Sequence, residues 1–456
     1  MSGLLGQQLM ASGKINETVE TLVAEAQRLS ENIKTVRGPQ PEHQANFNKL
    51  LERTNQLRGR PLYYNYLGSG IGRGPYVELE DGSVKLDLVN GIGVHILGHS
   101  HPKVIKAGLK GALSDIVMQG HLQANQDYTK LAGKLVDLAS KKSRLRHAWL
   151  TSCGTMANEN ALKICRQKKT PARMIMTFEN AFAGRSTMMA EVTDNPAFKQ
   201  GLPEYHEVLR LPFYDKNDPD KTLRAMKEHV AKHAGNICCF VFEPMLGEGG
   251  YRTGTREFFL PLMQFCREQK IPIWADEIQT FSRTGNFFAF ETYGFGDYVD
   301  VCTVAKTVQN GATLYTEEYN PQAGLIAGTF AGPSSALSAG LAVLEELDSG
   351  GYMGPGGKVE KIHKEFVAML NRLNETSCKG LLQEAGGVGL LVAVTPLDGS
   401  QAKQGQLLKA MFNNGLMSFG CGRNPWRVRF LLPAILQSAD IELAGQLIEK
   451  SILECV

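Results

Sequence analysis

The sequence predicts an α/β protein: a large domain with a mainly parallel sheet covered by helices on both faces, plus a smaller α+β domain. Three observations predict it. Short, almost unbroken apolar runs recur at "RHAWLTS" (146–152), "RMIMTFE" (173–179), "NICCFVFEP" (236–244), "IPIWADE" (271–277), "VDVCTVAK" (299–306) and "GLIAGT" (324–329). Helical periodicity fills several of the gaps, over 156–167, 218–233 and 255–269. Strands apolar along their whole length and alternating with helices belong to a parallel sheet buried on both faces. Finally, the character of the chain changes after a helix over 334–348 that ends at Gly350 and Gly351. Beyond it, "GVGLLVAVTP" and "RVRFLLPAI" read as strands, and "SADIELAGQLIEKSILE" as a terminal helix with Ser438 as its N-cap.

At the other end, Ile15, Val19, Leu22, Val23, Ala26, Leu29 and Ile33 recur at helical spacing, which predicts an amphipathic helix over 15–33. The looser "RGPQPEHQ" follows it. The expected division is a helical extension over 1–55, an N-terminal part of the small domain over 56–95, the large domain over 96–344, and the C-terminal part of the small domain over 345–456.

The bulk properties exclude several functions. A net charge of +3 over 456 residues, with 21% charged residues, gives no basic surface for nucleic acid or an anionic membrane. The nine cysteines include no C-x-x-C pair, so neither a metal site nor a disulfide framework is expected, and a reducing cytoplasm fits. No apolar run approaches the ~20 residues of a membrane span, and the start "MSGLLGQQLM" has no secretory pattern.

Ligands of open α/β sheets bind at the carboxyl ends of the strands, and four such ends carry unusual residues. In "LTSCGTMANENALKI" a strand turns through Cys153, Gly154 and Thr155 into a helix, whose free N–H groups suit a phosphate. In "TFENAFAGR" the aromatic Phe182 follows a strand and could stack on a flat ring. In "IPIWADEIQT" the strand ends on Asp276 and Glu277, and buried acids are costly unless a cation faces them. In "VDVCTVAKTVQNG" Lys306 stands at the tip of a buried strand, where low polarity favours the neutral, nucleophilic amine. Each of these alone has an ordinary structural reading. Together they describe a ligand with a phosphate, an aromatic face, a basic ring nitrogen and an aldehyde, and pyridoxal 5′-phosphate meets all four demands.

From about residue 60 onward the chain resembles the class III (ω-amino) aminotransferases of the fold-type I pyridoxal-phosphate enzymes. The resemblance lies in "YVELEDGSVKLDLVNGIGVHILGHSHPKVIKA", "FEPMLGEGGYRTG", "ADEIQTFSRTGNFFAFETYG", "VAKTVQNG", "AGTFAGPSSALSAGLAVLEEL" and "VRFLLP", in that order. It implies that Lys306 bonds to the cofactor aldehyde and shuttles the substrate proton, and that Asp276 keeps the pyridine nitrogen protonated. It also implies that Gln279 lies near the ring oxygen, that Gly154 and Thr155 bind phosphate through the main chain, and that Phe182 stacks on the ring. Thr329 would reach the phosphate of a neighbouring subunit, which implies a homodimer with shared sites. For substrate, the resemblance matches Arg429 to an α-carboxylate arginine, Glu248 to the acid that masks it, and Arg185 to a distal-carboxylate arginine. The expected reaction is ping-pong transamination between a diamine-type or ω-amino donor and an oxo acid, with 2-oxoglutarate and glutamate as one pair.

The chain departs from the family pattern at several points: Cys153-Gly154-Thr155-Met156 for Ser-Gly-Thr-Glu, Ala183 for histidine, Leu246 for glutamine, "GPSS" for Gly-Asn-Pro, and Gly386 where arginine is frequent. Lys306, Asp276 and the phosphate turn are retained. The alternatives at this stage are an aminomutase or decarboxylase of the same fold, or a non-catalytic binding protein built on it.

Overall fold

The computed structural model describes residues 3–114 and 118–456. They form two compact units, one made by the chain up to Lys106 together with Gly356–Val456, the other by Ala107–Pro355.

The second unit is built on seven strands: β1 (Leu145–Thr151), β2 (Met174–Phe178), β3 (Val208–Leu211), β4 (Ile237–Phe242), β5 (Ile273–Asp276), β6 (Val301–Val304) and β7 (Gly311–Thr316). Their order across the sheet is β1-β7-β6-β5-β4-β2-β3, and only β7 runs antiparallel to its neighbours. Every residue of β4, β5, β6 and β7 is buried, as a sheet covered on both faces requires. The helix Gly154–Lys168 turns Ala161, Leu162, Ile164 and Cys165 onto the sheet, where they join one core with Ile175, Val241, Trp274 and Val301. The helices Lys221–Lys232, Arg256–Glu268 and Ser334–Ser349 answer the expected periodic segments.

One expected strand is absent and two strands were not expected. "GLIAGT" forms no strand; Leu325 and Ile326 instead pack into the core from a loop. That segment holds just two bulky apolar residues between glycines, and Gly324 takes a left-handed φ of 85°. The place in the sheet belongs to "GATLYT", whose glycine and threonines give it no continuous apolar signature. The edge strand Val208–Leu211 was likewise not anticipated.

In the first unit, Gly68–Arg73, Tyr76–Leu79 and Val84–Asp87 form an antiparallel meander, and Leu416–Met417 joins it alongside Val84–Asp87 in parallel. One sheet therefore draws strands from both ends of the chain. A second sheet holds Leu382–Val388, Leu391–Pro396, Arg427–Leu431 and Phe419–Cys421. The amphipathic N-terminal helix spans Gly13–Ser30 and buries Val19 and Val23. The terminal helix is Ser438–Leu453, but Ser438 is its first residue rather than its cap. Gln437 takes the cap position, its N–H donating to the Asp440 carboxylate, while the Ser438 hydroxyl donates to Glu365. Among the described residues no helix is long and apolar enough to cross a membrane.

Candidate active site

The strand ends singled out in the sequence meet at one edge of the seven-stranded sheet. Asp276, the last residue of β5, pairs in register with Thr303 of β6. Lys306 follows three residues later, opening a single 3-10 turn, Lys306–Val308. Its φ of 55° lies in the left-handed region, which costs a residue with a side chain of order 1 kcal/mol and takes the chain abruptly out of the strand. The Lys306 ammonium is close enough for its charge to act on the Asp276 carboxyl.

The turn after β1 closes the same corner. Cys153 is extended, and the helix Gly154–Lys168 starts immediately after it. A Cβ on Gly154 would come within 2.9 Å of Ile278 Cδ1 and 3.3 Å of Ala305 Cβ, so glycine lets the turn approach these residues closely. The helix N-terminus, whose first N–H groups have no intrahelical partner, therefore abuts residues flanking both Asp276 and Lys306. Gly184, from the turn after β2, packs against Thr155 with a φ of 137°.

Asp276 ends the strand, Glu277 stands just past it, and the two have different environments. Glu277 is fully buried, yet its oxygens accept from Ala289 N (2.9 Å), Phe290 N (2.9 Å) and the Thr280 hydroxyl. It pins the following loop back onto the sheet. Asp276 accepts from Ile278 N (3.1 Å) and from Asn158 Nδ2 (2.8 Å). Burial pushes its pKa up to about 6, against the pull of those two donors and of the Lys306 charge. A carboxylate held this way favours a further cation beside it.

Sequence reasoning missed two residues here. Asn158, one helical turn into Gly154–Lys168, donates to Asp276 and also to Ala183 O at 2.7 Å, which ties the acid to the turn after β2. Glu243, just past β4, is 7% exposed and accepts from Phe182 N and Gly247 N, both at 3.0 Å. Burial, reinforced by the charge of Asp276, raises its pKa to about 8. A signal existed: Glu243 follows a wholly apolar strand, as Asp276 does.

Because the folded pKa of Glu243 exceeds its unfolded value, the folded state binds the extra proton, and stability contributed by this group falls as pH rises from about 4.5 to about 8. Glu243→Gln removes that titration. The melting temperature of the cofactor-free variant should accordingly decline less between pH 5 and 8 than that of the parent. Each ~1 kcal/mol corresponds to roughly 2–4 °C in a domain of this size, so scanning calorimetry across the pH series resolves it. Identical pH slopes for the two proteins would exclude this role.

The other expected residues are distributed as follows. Gln279 is buried, its Oε1 has no hydrogen-bond partner, and Gly247 packs so closely that a Cβ there would lie 2.6 Å from that oxygen. Phe182 is half-buried on the loop that Glu243 holds, and Glu248 follows Gly247 with its charge acting on Glu243. Arg185 is exposed, with its guanidinium carbon 3.6 Å from the centre of the Phe198 ring. Thr329 is exposed, and its carbonyl is packed against Gly120. Arg429 belongs to the first unit, fully buried on Arg427–Leu431, with its guanidinium 5.3 Å from the Phe419 ring centre.

These groups fit pyridoxal 5′-phosphate: a helix N-terminus for the phosphate, the unpartnered buried Oε1 of Gln279 as an acceptor for a ring hydroxyl, and a buried acid for a ring cation.

The class III aminotransferase family profile matches residues 69–452. A probable 4-aminobutyrate aminotransferase of Bacillus subtilis is 29% identical over 398 residues, covering 82% of this chain and 89% of that protein. An acetylornithine aminotransferase of Methanocaldococcus jannaschii is 30% identical over 384 residues, covering 81% and 89%. Among solved structures, the lysine aminotransferase of M. tuberculosis in its internal aldimine form superposes with a TM-score of 0.80 at 19% identity, covering 89% of this chain and all of that one. The ornithine aminotransferase of Toxoplasma gondii gives 0.78 at 20% identity, covering 94% and 98%. With a family match that spans most of its length, this chain belongs to the class III aminotransferases, enzymes that depend on pyridoxal 5′-phosphate.

Proposed function

We propose that this aminotransferase moves an amino group from an ω-amino or diamine-type donor to 2-oxoglutarate, in ping-pong order, as a cytoplasmic homodimer with shared sites. The observation that carries the reading is the convergence of Lys306, the buried Asp276 and the Gly154 turn at one corner of the sheet. When bound, the cofactor supplies an aldehyde for amine exchange and a ring that accepts electrons. Lys306 Nζ is the covalent anchor and, once displaced, the base that carries the substrate proton. The Asp276 carboxylate holds the ring nitrogen's proton, and Asn158 aims that carboxylate. Gly154 and Thr155 receive the phosphate through backbone N–H groups, with Cys153 beside them. Gln279 lies beside the ring oxygen, and Phe182 covers one ring face.

For the substrates, Arg429 takes an α-carboxylate, Glu248 masks that arginine while an ω-amine reacts, and Arg185 takes a distal carboxylate. The relatives support the donor class. Their names specify 4-aminobutyrate, acetylornithine, lysine and ornithine, all of which present an amine well separated from a carboxylate. For the dimer, the support is the exposure of two apolar side chains near Thr329. Gly332 and Pro333 pair with Gln119 and Met118, and on these adjoining segments Phe330 is 55% and Leu122 95% exposed.

The test is a donor screen by half-reactions. Mixed with a true donor and no oxo acid, the protein should lose the visible absorption of its lysine-bound cofactor, and 2-oxoglutarate should restore it. Release of carbon dioxide, or migration of the amine without any oxo-acid half-reaction, would replace this reading with a decarboxylase or mutase.

A further inference from the structure

Arg185 has an unusual setting for an exposed arginine. Its guanidinium lies 3.6 Å from the centre of the Phe198 ring, and no hydrogen bond or ion pair engages it among the described residues. Phe198 in turn meets Phe182 edge to face, with ring centres 6.1 Å apart and planes at 89°. The three side chains form a short row from the ring-covering position to an open guanidinium.

Backbone and side-chain bonds fix this row. Asp194 N donates to Ala181 O at 2.8 Å, and Asp194 Oδ2 accepts from Asn180 N at 2.7 Å. The Thr193 hydroxyl accepts from Ala183 N at 2.9 Å and donates to Gly184 O at 3.2 Å. The 3-10 turn Pro196–Phe198 is then set by Asn195, whose side chain accepts from Ala197 N and whose carbonyl accepts from Phe198 N. The loop that bears Phe198 is therefore sewn to the loop that bears Phe182 and Arg185.

A guanidinium stacked on a ring keeps its N–H edge available, and that edge matches a carboxylate in two parallel hydrogen bonds. Stacking also removes side-chain freedom before the ligand arrives, so less is lost on binding. We infer that Phe198 is a positioning residue that determines specificity for a dicarboxylic oxo acid, by holding Arg185 flat and open toward the distal carboxylate. This inference rests on the reading of Arg185 given under the proposed function.

Phe198→Leu removes the ring and keeps an apolar side chain. In the holoenzyme it should raise KM for 2-oxoglutarate about 3- to 20-fold with kcat within about twofold, the range expected for loss of a cation–π contact. With pyruvate, which has no distal carboxylate, kcat/KM should be unchanged. Phe198→Tyr should restore the parent KM. Calorimetric binding of glutarate and butyrate provides a readout independent of turnover: glutarate should weaken by the same factor, butyrate should not. An equal loss for both oxo acids, or unaltered glutarate binding, overturns the assignment of Phe198. Arg185→Met separates the two ideas. If it weakens glutarate while Phe198→Leu does not, only the Phe198 inference fails; if neither variant affects glutarate, the reading of Arg185 fails as well.

Discussion

Lys306→Ala is expected to abolish turnover, with a loss of at least ~10⁴-fold, because one substitution removes both the covalent anchor and the base that moves the substrate proton. The fold should survive it. Lys306 already occupies the left-handed region at φ 55°, and alanine meets about the same backbone penalty there as lysine. Its neighbours Ala305, Thr307 and Val308 are buried and contribute the packing of this turn, while the Lys306 side chain is half-buried. A melting curve close to the parent's would therefore accompany the loss of activity.

Removing the ammonium also alters Asp276, since the Lys306 charge is one of the influences that restrain its raised pKa. In the cofactor-free variant, the Asp276 carboxyl should hold its proton to higher pH than in the parent. Borohydride reduction of the parent holoenzyme followed by peptide mass spectrometry should place the label on Lys306. Labelling of a different lysine, or appreciable turnover by the alanine variant, would remove Lys306 from the centre of the site.

How much of this site the sequence disclosed follows from where charge stands out against its surroundings. Lys306 and Asp276 were legible because each ends a strand that is otherwise apolar, so an ionisable group there demands an explanation. Glu243 met the same criterion after "ICCFVF", but only the fold shows that it joins the Phe182 loop to the Gly247 loop. Asn158 was hidden because "ANENALK" reads as a polar helix face, and its burial comes from the turn after β2 folding over it. Phe198 sits in a polar loop with no periodicity, so its contact with Arg185 depends on hydrogen bonds between two loops. The sheet itself was largely legible in its buried parallel strands. Its antiparallel member, "GATLYT", was not, since small and hydroxyl-bearing residues can fill a central strand when both neighbours supply the ladder.

Asp276→Asn is expected to cost about 10²- to 10³-fold in rate, the size usual for loss of one preorganised electrostatic partner in a site closed to water, with cofactor still retained. The geometry explains why an isosteric change is so damaging. The carboxylate accepts at both oxygens, Oδ1 from Ile278 N and Oδ2 from Asn158 Nδ2. An asparagine can preserve the bond from Ile278, but its amide N–H groups would then face the donor of Asn158. Asn158 cannot reverse its own amide without leaving Ala183 O, now bonded at 2.7 Å, to face an acceptor. The variant thus loses the negative charge and acquires a donor–donor conflict in a buried place. The pH profile distinguishes this from simple structural damage. In the cofactor-free parent the Asp276 carboxyl titrates near 6, raised by burial, and a ring cation beside it would draw the value down. The parent should therefore lose activity on the acid side as this carboxylate takes up a proton, whereas the asparagine variant should show no such limb at any pH where it stays folded. An acid limb that persists unchanged in Asp276→Asn, or near-parental kinetics, would mean that another group holds the ring nitrogen's proton.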